Sequence, residues 1–282
     1  MTGDPGVASA GDAQDPATID YSVAQSVRVY DYMFGGADNF EADRTATEKV
    51  AGAVGGMDPL RSGVRANARF VGRALRYVVG EAGVRQLLVV GTTIPGTATI
   101  HGIAQEIAPE TRVVYAGSGS MLLAHAHALQ DGTAAGATVY LPADLRDAES
   151  ILAQASATLD FDRPVALLLV GLLHHVRDVD AAQRFLGRLV AAVPSGSHLV
   201  LSHLAADIHP RSMARFAELL SSQTDGAWVP RTRDEVERFL AGVELVPPGL
   251  VPVDQWRPAG QPPARPDGRW TNALHVAVGR KP

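Results

Sequence analysis

Gln86-Leu-Leu-Val-Val-Gly-Thr-Thr-Ile-Pro-Gly96 is the stretch whose reading decides the fold. A short apolar run with a β-branched end closes on a turn held between Gly91 and Gly96, and a helix-length segment from Thr97 to Ile107 follows. Working outward, Arg112-Val-Val-Tyr115 is a second strand that runs into Ala116-Gly-Ser-Gly-Ser120. Met121 to Leu129 is then a helix, and Thr138-Val-Tyr-Leu141 a third strand ahead of Ala143-Asp-Leu-Arg-Asp147. Strand, turn and helix repeated in this way make the first half of a doubly wound α/β sheet.

In such a sheet a nucleotide lies across the carboxyl ends of the first strands. Glycines let it approach the backbone, and an acid about 20 residues on holds the ribose hydroxyls. Here Gly91 and Gly96 keep the turn, but Thr93 stands in the place of a middle glycine, and Gly117-Ser-Gly119 at the tip of the second strand has no carboxylate. Further on, Arg163-Pro-Val-Ala-Leu-Leu-Leu-Val170 is continuously apolar, as a parallel strand covered on both faces should be. It ends at Gly171-Leu-Leu-His-His175, on the edge where open sheets present their chemistry, so His174 or His175 is a candidate base or acid near neutrality. His203 closes the next strand, His198 to His203, and is a candidate on the same grounds. The competing reading of each is a hydrogen-bonded structural histidine.

A chain of 282 residues with 46% hydrophobic content suits one large α/β domain with an added segment. The formal net charge is −5, without a basic stripe, so nucleic acid is not an expected partner. Cysteine is absent, which excludes disulfides, thiolate catalysis and cysteine metal sites. His125 and His127 are spaced so that they diverge on a helix, and no metal site is expected. No apolar run approaches the roughly 18 residues of a membrane span. Residues 1–20 have neither periodicity nor the regions of a signal peptide, so they are expected to be a disordered leader on a cytoplasmic protein.

Residues 21–80 read as a helical cap and 81–282 as the Rossmann-like domain. Within the cap the segment from Ser22 to Tyr32 has helical spacing, Gly35-Gly36 breaks it, and a second helix runs from Glu41 to Ala51 with Asp38 or Asn39 as its N-cap. A third helix, Arg61 to Val79, carries arginines at spacings of three and four, which is a solvated basic face unless one or two of them turn toward an anionic substrate. Pro247 to Gly268 reads as a proline-rich lid or contact surface without secondary structure of its own.

Arg28-Val-Tyr-Asp-Tyr32, Gly35-Gly36, Asp38-Asn-Phe40 and Asp43-Arg44 together resemble the N-terminal signature of an actinobacterial family of S-adenosylmethionine-dependent methyltransferases. The likeness continues through Arg65-Ala-Asn67, the strand that ends at Gly91, the His101 helix, Ala143-Asp-Leu-Arg-Asp147, Leu172-Leu-His174, Leu201-Ser-His203 and Val229-Pro-Arg231. It implies a class I methyltransferase fold of seven strands. Gly91, Gly96 and Asp144, the last on the adenine side, are then the cofactor-binding positions. The family pattern has an acid where this chain has Val89, a glycine at Thr93, and an acid-rich turn at Gly117-Ser-Gly-Ser120. Each charge-assisted hydrogen bond lost is worth about 1.5–3 kcal/mol, and two such losses weaken binding about a hundredfold or more. From these departures the expectation is an enzyme that has lost its cofactor. The alternatives are an O- or N-methyltransferase that still uses S-adenosylmethionine and a non-catalytic subunit.

Divergent relatives in that family are associated with azinomycin-type antibiotic pathways, which implies aziridine closure with loss of a sulfate-type leaving group. The substrate would be a small intermediate on an acidic amino-group carrier protein, and a small partner subunit is implied. Such a displacement needs a base and fixed donors for the departing anion. Asp31 and Asp38 are the candidate carboxylates and Tyr30, Tyr32 and Asn39 the candidate donors. Arg28, Arg44 and Arg65 are candidate forks for the anion, and His174 is the rival base. Asp31 with Arg28 is the favoured pair, because Tyr30 and Tyr32 are expected to flank Asp31 and partly desolvate it.

Overall fold

The computed structural model describes residues 20–91, 99–117, 136–258 and 273–282. Gly96, Thr93, the segment 121–129 and the leader up to residue 19 lie outside these. β1 (Gln86–Val90) is where its apolar run places it, buried along its whole length. β2 (Arg112–Gly117) and β3 (Thr138–Pro142) extend the sheet on one side of it, and β4 (Ala166–Val170) and β5 (His198–Leu204) on the other, all parallel. β8 (Leu274–Arg280) runs antiparallel beside β5, and the two-residue strands β6 (Glu244–Leu245) and β7 (Val251–Pro252) pair with β8.

The order is β3-β2-β1-β4-β5-β8-β6, in a sheet of eight strands where the sequence leads one to expect seven. β7 is the unexpected one, and it falls in the proline-rich stretch read as lacking secondary structure. Two residues carry no periodicity, so only their pairing across β8 reveals them.

Growth of the sheet reverses between β1 and β4, and a cleft therefore opens beyond their carboxyl ends. Gly91 and Gly171 turn the chain away there with φ of +107° and +64°, a region that only glycine enters without steric cost.

Before the sheet come α1 (Ser26–Phe34), α2 (Glu41–Val54) and α3 (Met57–Leu75), the last continuing as a π-helical turn over Arg76–Glu81. Gly35 ends α1 in the left-handed region, as the glycine pair suggests. Neither Asp38 nor Asn39 caps α2. Its first residue follows Phe40, whose N–H donates to the Asp43 carboxylate at 2.8 Å. Val29, Met33 and Phe70 from these helices share one apolar core with Leu87, Val89 and Val200 of the sheet. The other face of the sheet buries Leu88, Leu169 and Leu201 under α5 (Ala148–Ala155) and α6 (Val179–Ala192), with α4 (Ile100–Ile107) preceding them in the chain. α7 (Pro210–Gln223) packs on α2. Among the described residues no helix is long and apolar enough to cross a membrane.

Candidate active site

Gly171 is the point on which three segments converge. A methyl group built on its Cα would lie 3.6 Å from the Tyr30 hydroxyl of α1, 3.6 Å from Cε1 of His174 and 3.9 Å from Nδ2 of Asn67 of α3. The glycine thus leaves a one-atom cradle open between the N-terminal helices and the end of β4. Burial pushes the Tyr30 phenol up to about 12, so it stays protonated and able to donate. Among the described residues, Oδ1 of Asn67 and both ring nitrogens of His174 are buried without a hydrogen-bond partner. Unsatisfied buried polar groups gathered at one spot mark a place where something else is meant to bind.

The His174 ring is fixed by its neighbours. It lies nearly parallel to Trp228, with centroids 5.3 Å apart, and meets the His203 ring edge-on at 5.7 Å. Trp228 also stacks on Tyr30 at 6.0 Å with their planes 7° apart. The indole is anchored by its Nε1–H, which donates to Thr224 at 3.1 Å, and by its backbone N–H, which donates to Ser221 at 2.9 Å. His175 turns away and donates from Nδ1 to the Ala227 carbonyl at 2.8 Å.

Arg231 holds this turn from beneath. Its guanidinium donates to the carbonyls of Leu173 at 2.8 Å and Val176 at 2.6 Å, and to Nε2 of His203 at 3.0 Å. His203 must then carry its proton on Nδ1, which donates to the Leu204 carbonyl at 2.9 Å. Both of its nitrogens are engaged within the protein, and it meets the site through Arg231 and through its edge-on contact with the His174 ring.

The N-terminal signature is mostly scaffold. Arg28, expected as an anion fork, is buried and donates from Nε to Asp43 at 2.7 Å and from Nη2 to the Val23 carbonyl at 2.6 Å. Asp43 also accepts from the backbone of Gln25 at 2.9 Å, so one carboxylate ties the chain before α1 to the start of α2. Asp31 accepts from Nδ2 of Asn39 at 2.9 Å and packs against Gly36, where any Cβ would collide with its carboxylate. Arg44 in turn donates to Oδ1 of Asn39 at 3.2 Å. Asp31, Asn39 and Arg44 therefore shape the turn between α1 and α2.

The two tyrosines do not flank Asp31, because successive helix residues diverge by about 100° around the axis. Tyr30 stacks on Trp228, whereas Tyr32 donates to Glu48 at 3.1 Å. Asp38 and Arg65 are exposed. Of the expected set, the structure brings Tyr30 and His174 together. It adds Asn67 and Trp228, which were not picked out, and Arg231 as their support. A tryptophan ahead of Val229-Pro-Arg231, a short non-periodic stretch, was the available signal.

On the cofactor side, a Cβ built on Gly91 would lie 3.0 Å from Cδ1 of Leu172, so the glycine is what lets the Leu172 side chain close on the end of β1. Asp144, at the end of β3, is half-exposed and pairs with Arg146 at 2.8 Å, and that hydrogen bond holds its carboxyl below the usual range. His101 takes the Tyr115 hydroxyl at 3.0 Å from both its backbone N–H and its Nδ1.

The buried histidines tie stability to pH. Burial pushes His203 down to about 3, and burial followed by the neighbouring His175, His203 and Arg231 holds His174 well below the ordinary 6.5. Both groups regain the ordinary value on unfolding, so below about 6.5 the unfolded chain binds more protons and stability falls with pH. At about pH 5.5 each of the two histidines removes roughly 1.4 kcal/mol. Urea unfolding at pH 5.5 and 7.5 is expected to differ by roughly 2–3 kcal/mol, less stable at the lower pH. Equal stabilities at the two pH values would contradict the neutral assignment.

Comparison with known proteins places the chain. The family model described as S-adenosyl methyltransferase matches residues 12–282. A DUF574-family protein from Streptomyces avermitilis is 38% identical, with a TM-score of 0.86, over 93% of this chain and 99% of its own. A putative methyltransferase from Thermobifida fusca is 33% identical, with a TM-score of 0.84, over 96% of this chain and 99% of its own. No curated protein matches. The expectation of an enzyme without a cofactor is corrected by the family model, whose members are described by the cofactor itself. Three substituted positions do not outweigh a likeness that runs along residues 12–282. With the match running over nearly its full length, the chain belongs to the S-adenosyl methyltransferase family.

Proposed function

We propose that the protein transfers a methyl group from S-adenosylmethionine to a small acceptor in the cleft between α1, α3 and the carboxyl edge of β1 and β4. The observation that carries this reading is the cradle at Gly171, where Tyr30, Asn67 and His174 meet beside the Gly91 turn. The residues present suit the cofactor in kind. Gly91 turns the chain sharply at the end of β1, beside the switch point, and Asp144 offers a carboxylate just past β3, the next strand end but one. When bound, the cofactor supplies an electrophilic methyl on a sulfonium.

The chain's own residues do the rest. Trp228 and Tyr30 form an apolar wall that excludes water and orients the acceptor, and His174, uncharged by burial, is available to take a proton from it. Nothing among the described residues favours the ring closure expected from the sequence. Arg28 is engaged with Asp43, and Arg44 and Arg65 are exposed, so no guanidinium of that set is placed to receive a departing sulfate.

Titration with S-adenosylhomocysteine tests the reading, with a dissociation constant of about micromolar order expected. His174→Ala is expected to keep that affinity while methyl transfer falls about 10²- to 10⁴-fold, the range for a lost general base. No binding at millimolar concentration, or full transfer by the variant, would remove the proposal.

A further inference from the structure

At the amino ends of β1, β4 and β5, on the opposite edge of the sheet from the cleft, lies a second hollow. It is a cavity of about 370 Å³ lined by Tyr77, Arg85, Arg163, Pro164, His198 and Arg280 among others, and no acid is among the residues that line it. Three guanidinium groups gather here although the formal net charge of the chain is −5. The topology brings them together from distant positions. Arg85 precedes β1, Arg163 precedes β4, and Arg280 ends the antiparallel β8 directly across from His198, the first residue of β5.

His198 is buried, and among the described residues neither of its ring nitrogens has a hydrogen-bond partner. The Gly196 carbonyl stands close to the ring, yet neither nitrogen meets it in hydrogen-bond geometry. A buried imidazole left open beside a hollow lined by arginines calls for a ligand that can accept from it. The arginines also have capacity to spare. Arg163 engages its carbonyl with Gln86, and its guanidinium has no partner among the described residues. Arg280 meets Glu244 only at 3.6 Å, and both are exposed, so a ligand can replace that contact at little cost. Arg85 is held through Nε by Glu110 at 2.6 Å and through Nη1 by the Val79 and Val84 carbonyls, which leaves its Nη2 group over. The other acids of this edge are occupied elsewhere. Glu81 pairs with Arg257 at 3.0 Å, and Asp160 and Asp162 line a separate hollow.

We infer that this cavity binds a small phosphate monoester, a ligand distinct from the cofactor and from the methyl acceptor. One planar carboxylate is satisfied by a single guanidinium fork, whereas a tetrahedral dianion has oxygens for donors that arrive from three separate segments. Tyr77 and Pro164 supply apolar surface for the body of the ester, and the volume is that of a small-molecule site. Burial holds His198 below its ordinary value, and a bound dianion favours the protonated ring, which donates from both nitrogens. Because this hollow and the cleft lie at opposite ends of the same strands, both can be filled at once.

The test uses the full chain, with and without saturating S-adenosylhomocysteine, and three probes, phenyl phosphate, inorganic phosphate and benzoate. Binding is read from the histidine ring signals in NMR, those of His198 being identified by their loss in His198→Asn. The expected result is that phenyl phosphate moves the His198 signals toward those of a protonated ring. It should bind at least about tenfold more tightly than either other probe, and equally well with S-adenosylhomocysteine present. Arg163→Gln and Arg280→Gln should each weaken phenyl phosphate about tenfold and leave the thermal transition and the S-adenosylhomocysteine affinity unchanged. No response of His198 to millimolar phenyl phosphate, or equal binding of benzoate or inorganic phosphate, would overturn the assignment. Undiminished binding by either arginine variant, or displacement of phenyl phosphate by S-adenosylhomocysteine, would overturn it as well.

Discussion

Asp43→Ala is expected to lower the stability of the chain by about 3–5 kcal/mol, the range for removing one partner of a buried ion pair. Arg28 and Asp43 are 1% and 0% exposed, so taking away the carboxylate strands a guanidinium whose Nη1 already lacks a partner. The backbone N–H groups of Gln25 and Phe40 lose their acceptor with it, which loosens the chain before α1 and the start of α2 together. Denaturant unfolding of the single variants and of Arg28→Met/Asp43→Leu checks this. The double variant should recover only the part due to the stranded guanidinium, since the N–H groups of Gln25 and Phe40 still lack their acceptor. A single-variant loss below about 1 kcal/mol would show that the pair is solvated and open. That result would also reopen Arg28 as an anion fork.

Arg231→Met is the second large effect, and it reaches both stability and chemistry. The side chain is buried at 2% exposure, and it is what ties the carbonyls of the turn after β4 to His203. Removing it leaves several buried acceptors unpaired, each costing about 1–3 kcal/mol, so a loss of about 3 kcal/mol or more is expected. Transfer should fall further than stability alone explains, because the turn that aims His174 relaxes. Arg231→Lys should recover little, since one ammonium cannot span acceptors that a planar fork reaches together. The His174 ring resonances give a reading independent of turnover. If they are unchanged in Arg231→Met, the arginine supports the fold without setting the histidine.

The comparison of the cap with the sheet shows how far residues by themselves reach. β1 and β4 were legible because a strand covered on both faces must be apolar throughout, and that requirement is written in consecutive positions. His174 was legible because a histidine just past such a strand lies on the edge where the cleft opens. In the cap the same density of polar residues gave the wrong emphasis. Arg28, Asp31, Asn39 and Arg44 read as chemistry, yet Arg28 is taken up by Asp43 and the other three bond to one another. Arg65-Ala-Asn67 carries a charged and an amide side chain, and in sequence the charge is the stronger signal. The arginine is exposed, and the asparagine reaches Gly171.

By itself, then, the sequence determined the doubly wound sheet, the turns at Gly91 and Gly171, and the family, because local apolar runs and glycine positions are properties of neighbouring residues. The tertiary structure alone decided which polar side chains face the cleft. Tyr30, Asn67, His174 and the pair Trp228 and Arg231 come from four separate stretches, and Arg28 and Asp31, three residues apart on one helix, find different partners. Whether a buried charge is a catalyst or a strut depends on what folds against it, and that partner is set by packing across the chain.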